Sequence, residues 1–260
     1  MKKHLSVIGL FCRTTIVPLA VVSIAAVCAE MYMFLSCMHE NPDMGLEQCI
    51  SRSRIGLLLF GWYLLFCVIL CIPGCNHGSK SSYTFRRLRI KERGVFFWQA
   101  GYNAIAFTIL LLMQIVTAYV MCRIYIAADP AGVANHQTIF LAFYRSDLLH
   151  SILPLEETTS WAMIGIYLLS NGICTAYFPF ANRGGRFASV TVATAIITFL
   201  SFVCKLGYFR LMPLSLILTA GVAIFNVLCW EDEYETEDQT ENQADTQQTA
   251  NDQTADSQAV

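Results

Sequence analysis

The chain has 260 residues, of which 55% are hydrophobic and only 14% are charged. Because soluble domains carry about a quarter charged residues, this composition excludes an ordinary soluble domain and indicates a protein embedded in a bilayer. The net charge of -2 conceals an asymmetry: residues 231–260 hold ten acids and no Lys or Arg, so residues 1–230 carry seventeen basic residues against nine acids, a net of +8.

Six apolar stretches are long enough, or nearly so, to cross a bilayer as helices, which takes about 20 residues. The third is long enough to tilt or to project from the membrane, and the fifth is the shortest. We therefore predict an all-α polytopic membrane protein whose six-helix domain covers residues 1–230. The stretches are Thr14–Cys37, Ile55–Cys75, Val95–Cys122, Ser160–Phe180, Ala188–Cys204 and Leu211–Trp230.

The first stretch also has features of a cleaved signal peptide. Lys2 and Lys3 form a basic N-terminal region, and residues 27–29, Val-Cys-Ala, resemble a cleavage site. However, Arg13 interrupts the early apolar run, and the apolar stretch continues through residues 31–35. We therefore interpret it as a retained span.

Glu30 is the one acidic residue inside a predicted span. A carboxylate within the membrane is energetically expensive, which makes Glu30 a candidate functional residue. The alternatives are a protonated acid, or a hydrogen bond to Gln114 or Asn171 in neighbouring helices. Gln99, Asn103 and Gln114 in the third span are predicted to make hydrogen bonds between helices.

The first loop, residues 38–54, contains the turn residues Pro42 and Gly45. Most of the eleven cysteines lie in apolar runs, where Cys behaves as a small hydrophobic residue. The odd number of cysteines argues against complete pairing. Cys37 and Cys49, which flank the polar part of this loop, are the two that are placed to form a disulfide.

A cluster of positive charge lies in the connection between the second and third spans. Five basic residues fall between positions 86 and 93, and an aromatic and apolar run follows at once. Attraction to anionic lipid head groups is worth about 1 kcal/mol for each basic residue near the surface. So short a patch on a membrane protein does not indicate nucleic-acid binding, and we predict no nucleic-acid partner.

The distribution of Lys and Arg sets the orientation, because cytoplasmic loops collect these residues. With six spans and a cytoplasmic N-terminus, eleven of the seventeen basic residues lie on the cytoplasmic side. Lys205 and Arg210 fall on the other side; five spans would correct their placement but would move the acidic tail outside. We predict a multi-pass protein of the cell membrane with both termini in the cytoplasm.

The outer loop, residues 123–159, contains an amphipathic stretch. Apolar residues recur at roughly helical spacing from Ile139 to Ile152, residues 129–130 are Asp-Pro, and Pro154 follows the stretch. The pattern predicts a helix lying on the outer face. A plain interfacial helix is favoured over one that gates a substrate.

Enzyme motifs are missing from the sequence: it contains no Walker A, HExxH or GxSxG pattern. Cys71, Cys75 and His77 lack the fourth ligand of a structural zinc site. We therefore predict that the chain is not an enzyme and that it holds no metal and no cofactor. Residues 231–260 are too polar to bury a core, so this acidic cytoplasmic tail is predicted to be disordered.

Residues 84–93 carry a resemblance to a known family. An aromatic residue, the sequence Arg-Arg-Leu and a basic stretch stand between two spans and precede an apolar helix. With six spans and both termini inside, this pattern resembles the permease subunits of ABC-2-type transporters, although the proline common in their segment is missing. The resemblance implies a short helix that docks on a separate ATP-binding cassette ATPase through Phe85, Arg86, Arg87, Leu88 and Arg89.

The same resemblance implies a homodimer, or a heterodimer with a second permease, within the lipid bilayer. It implies no substrate. The alternative function is a non-transporting membrane scaffold or sensor, which would bind its partners through the basic loop and the acidic tail.

Overall fold

A computed structural model describes residues 2–41, 44–73, 75, 92–128, 136–154, 158–183, 188–203 and 213–229. In this part of the chain the regular structure is entirely helical, so the predicted all-α class is confirmed. The described helices are α1 (Lys2–Glu40), α2 (Leu46–Arg52), α3 (Ile55–Cys71), α4 (Glu92–Ala128), α5 (His136–Arg145), α6 (Asp147–Ile152), α7 (Thr158–Arg183), α8 (Ser189–Val203) and α9 (Pro213–Cys229).

Each of the six predicted apolar stretches overlaps one helix, namely α1, α3, α4, α7, α8 or α9. Among the described residues, α1, α4 and α7 are long and apolar enough to cross a membrane. A fourth span results if α2 and α3, which meet at a bend of 51°, are counted together, whereas α8 and α9 are shorter apolar helices. The chain is therefore a membrane protein with three or four helices of full spanning length in its described part.

The bend between α2 and α3 lies at Arg54. This residue has φ 54° and ψ 25°, in the left-handed region, where a non-glycine residue costs roughly 1–2 kcal/mol. Just before it, the Ser53 backbone N–H donates to the Cys49 carbonyl oxygen at 3.0 Å and ends α2. The reversed backbone twist at Arg54 then starts α3 in a new direction.

α1 and α4 run in the same direction through the bundle. Near the start of both helices, Phe11 stacks on Tyr102 with ring centroids 6.2 Å apart. Farther along, the Gln114 side chain of α4 reaches Glu30 of α1. At a rise of ~1.5 Å per residue both helices are longer than the bilayer core of about 30 Å, so they project beyond it.

α3 and α7 run in the opposite direction to α4. The Gln99 side chain, near the start of α4, donates to the carbonyl oxygen of Pro73, just beyond the end of α3, at 3.3 Å. Phe96, one turn earlier, packs edge-on against Phe180 near the end of α7, with ring centroids 6.1 Å apart. The ends of α3 and α7 therefore lie beside the start of α4.

α8 and α9 continue this alternation. The Thr191 hydroxyl near the start of α8 donates to the Cys174 carbonyl oxygen at 2.6 Å, and Thr198 farther along α8 lies against Asn171. α8 is thus antiparallel to α7. The end of α9 lies beside the start of α4. There the Arg93 guanidinium of α4 donates to the Leu228 carbonyl oxygen of α9 at 2.6 Å.

Three short helices, α2, α5 and α6, cover one end of this bundle, which we name the capped end. The opposite end, where α1 begins and α9 ends, is the terminal end. At the capped end the Tyr125 hydroxyl of α4 donates to the Met44 carbonyl oxygen at 2.8 Å. This bond holds the loop before α2 against α4. The buried cluster of the capped end consists of Phe34, Cys37, Leu46, Cys49, Ile50, Ile55, Ala118, Met121, Cys122, Ala142, Phe143 and Leu149.

At the capped end the structure differs from the sequence predictions in two details. Residues 38–54, predicted as a loop, contain α2, whose residues Leu46, Cys49 and Ile50 recur at helical spacing and pack into the cluster. The amphipathic stretch of the outer loop forms two helices, α5 and α6, separated at Ser146, where the backbone is extended. Both helices bury apolar residues in the same protein cluster, which is why they cover the bundle.

Candidate functional site

The ionisable side chain at the centre of the candidate site is Glu30, which is 1% exposed. Gln114 Nε2 on α4 donates to Glu30 Oε1 on α1 at 3.1 Å. A polar group removed from water needs such a hydrogen bond, and in hydrocarbon this requirement is stricter still. Glu30 thus faces α4, and of the two partners named from the sequence Gln114 lies against it.

A small cavity adjoins this pair toward the capped end. The cavity has a volume of about 10 Å³, which is close to the volume that one water molecule needs. Glu30 and Gln114 are the polar residues that line it, and Ile50 of α2 with Leu149 and Ile152 of α6 belong to its apolar wall. The arrangement can hold a water molecule beside a carboxyl group, and it is far too small for an organic substrate.

Asn171 lies elsewhere, in a buried polar network on α7. Its Oδ1 accepts a hydrogen bond from the Tyr63 hydroxyl of α3, and its Nδ2 donates to the Tyr167 carbonyl oxygen at 2.8 Å. The Thr198 hydroxyl of α8 lies 3.4 Å from both side-chain ends of Asn171. The side chain therefore joins α3, α7 and α8 and makes no contact with Glu30 in this network.

A second set of bonds extends the network to α4. Asn103 Nδ2 donates to Thr175 Oγ1 at 3.0 Å, and Thr175 Oγ1 donates to the Asn171 carbonyl oxygen at 2.6 Å. Pro179 has no N–H, so it leaves the carbonyl of Thr175, four residues earlier, without its helical donor. The Cys71 thiol of α3 reaches that carbonyl oxygen at 3.7 Å. These bonds satisfy buried polar groups and hold helices together.

The hydrogen bonds between helices were only partly predictable. Gln99, Asn103 and Gln114 were named from the sequence, and each donates from α4 to a different segment. Tyr63 and Thr198 were missed. A single hydroxyl in an apolar run gives little signal, because it can also bond to the carbonyl of its own helix.

The candidate docking residues, Phe85, Arg86, Arg87, Leu88 and Arg89, lie outside the described residues, as do His77 and residues 231–260. The segment from 76 to 91 nevertheless has described residues on both sides. Its preceding helix, α3, ends beside the start of α4, and Arg93 there bonds to the Leu228 carbonyl oxygen near the end of α9. A guanidinium complements the partial negative charge of a helix C-terminus.

Comparison with known proteins gives no match: no family model, no curated protein and no solved structure is similar to this chain. Among the described residues, no group of three or more His, Cys, Asp and Glu side chains could hold a metal ion. The described part thus offers one buried carboxyl group, Glu30, within a helix bundle whose other buried polar side chains are neutral.

Proposed function

We propose that the chain is the permease subunit of an ATP-driven membrane transporter, with ATP hydrolysis supplied by a separate ATP-binding cassette subunit. The observation that carries this proposal is the alternation of six apolar helices. Because α3 ends and α4 begins at the terminal end, the basic segment 76–91 joins them there, at the end where α1 starts and α9 stops. A partner at that end would meet the segment and both flanking regions of the bundle.

The proposal includes six membrane spans. α8 and α9 have 15 and 17 residues, which correspond to about 23 and 26 Å of helix. Helices somewhat shorter than the hydrocarbon core are accommodated by local thinning of the bilayer at a modest cost. α3 also has 17 residues, and α2 extends it across the bend at the capped end.

The proposed location is the cell membrane, with both termini and the terminal end in the cytoplasm. The bias of eleven basic residues against six supports this orientation. Reporter fusions at Gly78 and Gln239 are expected to be cytoplasmic, and a fusion inserted at Gly45, at the capped end, is expected to be external. An external reporter at Gln239 would contradict six spans and would point to α8 as the helix that does not cross.

Docking of the ATPase on the basic segment gives the sharpest test of function. The double variant Phe85→Ser/Leu88→Ser is expected to abolish co-purification of the ATPase, because docking into a groove needs apolar anchors on one helix face. Ile90→Ser is the matched control, since residue 90 would lie on the opposite face of the proposed helix at 100° per residue. Membrane insertion, measured by the same reporters, should be unchanged in both variants.

Replacing the arginines at 86, 87 and 89 by lysine separates docking from lipid attraction. Attraction to lipid depends on the number of charges and is expected to be unchanged. A lysine, however, cannot form the two parallel hydrogen bonds to a carboxylate that an arginine forms. We expect weaker docking with normal topology; Arg93 is left intact because it bonds to α9. The permease proposal fails if no ATPase co-purifies with the wild-type protein. It also fails if the ATPase co-purifies equally with the double serine variant and with the lysine variant.

The second candidate function, a non-transporting scaffold or sensor, is favoured by the small size of the cavity beside Glu30. A pocket for an organic ligand usually measures several hundred Å³, of the order of 300–1,000. In this case the partners would bind the basic loop and the acidic tail 231–260, which we propose to be disordered. Partners that co-purify without an ATPase, and that are lost on truncation after Trp230, would favour the scaffold.

A further inference from the structure

Cys37 and Cys49 are brought together at the capped end. Cys37 is near the end of α1 and Cys49 is in α2, and their side chains are 8% and 1% exposed. Cys37 Sγ donates to the carbonyl oxygen of Cys49 at 3.6 Å, so the first thiol lies against the backbone of the second cysteine. Both cysteines are free thiols in the structure.

The contact is held by packing on both sides. Leu46 and Ile50, which flank Cys49 on the same face of α2, belong with Phe34 and Cys37 to the buried cluster of the capped end. The hydrogen bond from Tyr125 to the Met44 carbonyl oxygen restrains the loop between the two cysteines. The two cysteines are thus neighbours because α2 packs against the end of α1.

We propose that Cys37 and Cys49 are joined by a disulfide in the mature protein. The inference rests on the proposed orientation, which puts the capped end outside the cytoplasm, where disulfides form and persist. It does not depend on transport.

The oxidant is a thiol–disulfide oxidoreductase of that compartment. The Cys49 thiolate attacks the disulfide of this enzyme, and the Cys37 thiolate then displaces the enzyme's sulfur from the mixed disulfide. Two electrons and the two thiol protons pass from the chain to the oxidoreductase, whose disulfide is thereby reduced to a dithiol. Both thiols are shielded in the folded chain, so the exchange takes place during folding, before the cap closes.

Cys71 and Cys75 provide an internal contrast. The Cys75 thiol donates to the Cys71 carbonyl oxygen at 3.1 Å, so these two are also neighbours. They lie at the terminal end, however, which faces the reducing cytoplasm in the proposed orientation. We expect this second pair to stay reduced.

The disulfide would also fix part of the cavity wall beside Glu30. Ile50, the residue after Cys49, lines that cavity together with Glu30 itself. A covalent link from α2 to α1 keeps Ile50 in the wall of this cavity, because α2 can then no longer separate from the end of α1.

Cleavage at methionine tests the proposal directly. Membranes are treated with N-ethylmaleimide at lysis, and the purified full chain is cut with cyanogen bromide, which cleaves after Met33, Met38, Met44 and Met113. Residues 34–38, with Cys37, then stay attached to residues 45–113 only through a disulfide. The second fragment contains Cys49, Cys67, Cys71 and Cys75, so the Cys49→Ser variant identifies the partner. We expect mass spectrometry to find the linked pair without reductant and the two separate fragments after reduction.

Cys37→Ser and Cys49→Ser are each expected to lose the linked pair. Cys122→Ser, at a buried position of the same cluster, is the matched control and is expected to keep it. The proposal is overturned if wild-type fragments 34–38 and 45–113 are separate and both cysteines carry the maleimide. Reporter fusions at Gly78 and Gln239 test the orientation independently, so a reduced pair with cytoplasmic reporters overturns the disulfide alone.

Discussion

Gly172→Ala is expected to destabilise the folded chain by about 1–3 kcal/mol, the usual cost of overpacking a close contact. A Cβ at Gly172 of α7 would lie 2.8 Å from the Ala104 backbone nitrogen and 3.0 Å from the Ala100 carbonyl oxygen of α4. Backbone atoms cannot rotate away, so α4 and α7 would have to separate. Small residues at such crossings let two membrane helices approach closely.

Gly165→Ala is the matched control on the same helix. A Cβ at Gly165 meets nothing within 4 Å. Alanine is favoured over glycine within a helix by roughly 0.5–1 kcal/mol, so this variant is expected to be neutral or slightly more stable. Thermal unfolding in detergent, followed by loss of the monodisperse peak in size-exclusion chromatography, measures both. Equal unfolding temperatures for the two variants would contradict the close contact of α4 with α7.

Gln114→Leu is expected to destabilise the chain by about 1–3 kcal/mol, because it leaves the buried Glu30 carboxyl group without the donor at 3.1 Å. Glu30→Gln keeps a polar group at this position and is expected to cost less. The double variant Glu30→Leu/Gln114→Leu removes both partners and should recover part of the loss. Hydrogen bonds between membrane helices contribute about 0.6 kcal/mol on average and up to about 1.7 kcal/mol, which bounds the expected coupling energy.

A double-mutant cycle measured by thermal or denaturant unfolding checks this expectation. Strictly additive effects of the two leucine substitutions would show that the Glu30–Gln114 bond does not stabilise the fold. The same variants test whether Glu30 also has a functional role. If the carboxyl group binds a proton or a cation beside the cavity, Glu30→Gln should lower the proposed transport activity at normal expression; equal activity over a wide pH range would exclude that role.

The sequence by itself determined the six long apolar helices and the membrane class, but not the short helices of the capped end. The predicted stretches Ala188–Cys204 and Leu211–Trp230 differ from α8 and α9 by at most two residues at each end. Apolar runs of this length can satisfy their backbone in a membrane only as helices, which is why composition suffices. The first stretch was predicted from Thr14, whereas α1 begins at Lys2, because helical hydrogen bonds continue beyond the apolar part of a helix.

Tertiary structure alone decided which side chains meet. The sequence allowed Glu30 to pair with Gln114 or with Asn171, and the choice follows from α1 and α4 running parallel with Gln114 at the depth of Glu30. It gave no sign that Tyr63 would reach Asn171, or that Gly172 lies against α4. Helix direction and rotation about the helix axis result from packing between distant segments, and apolarity along one segment carries no information about them.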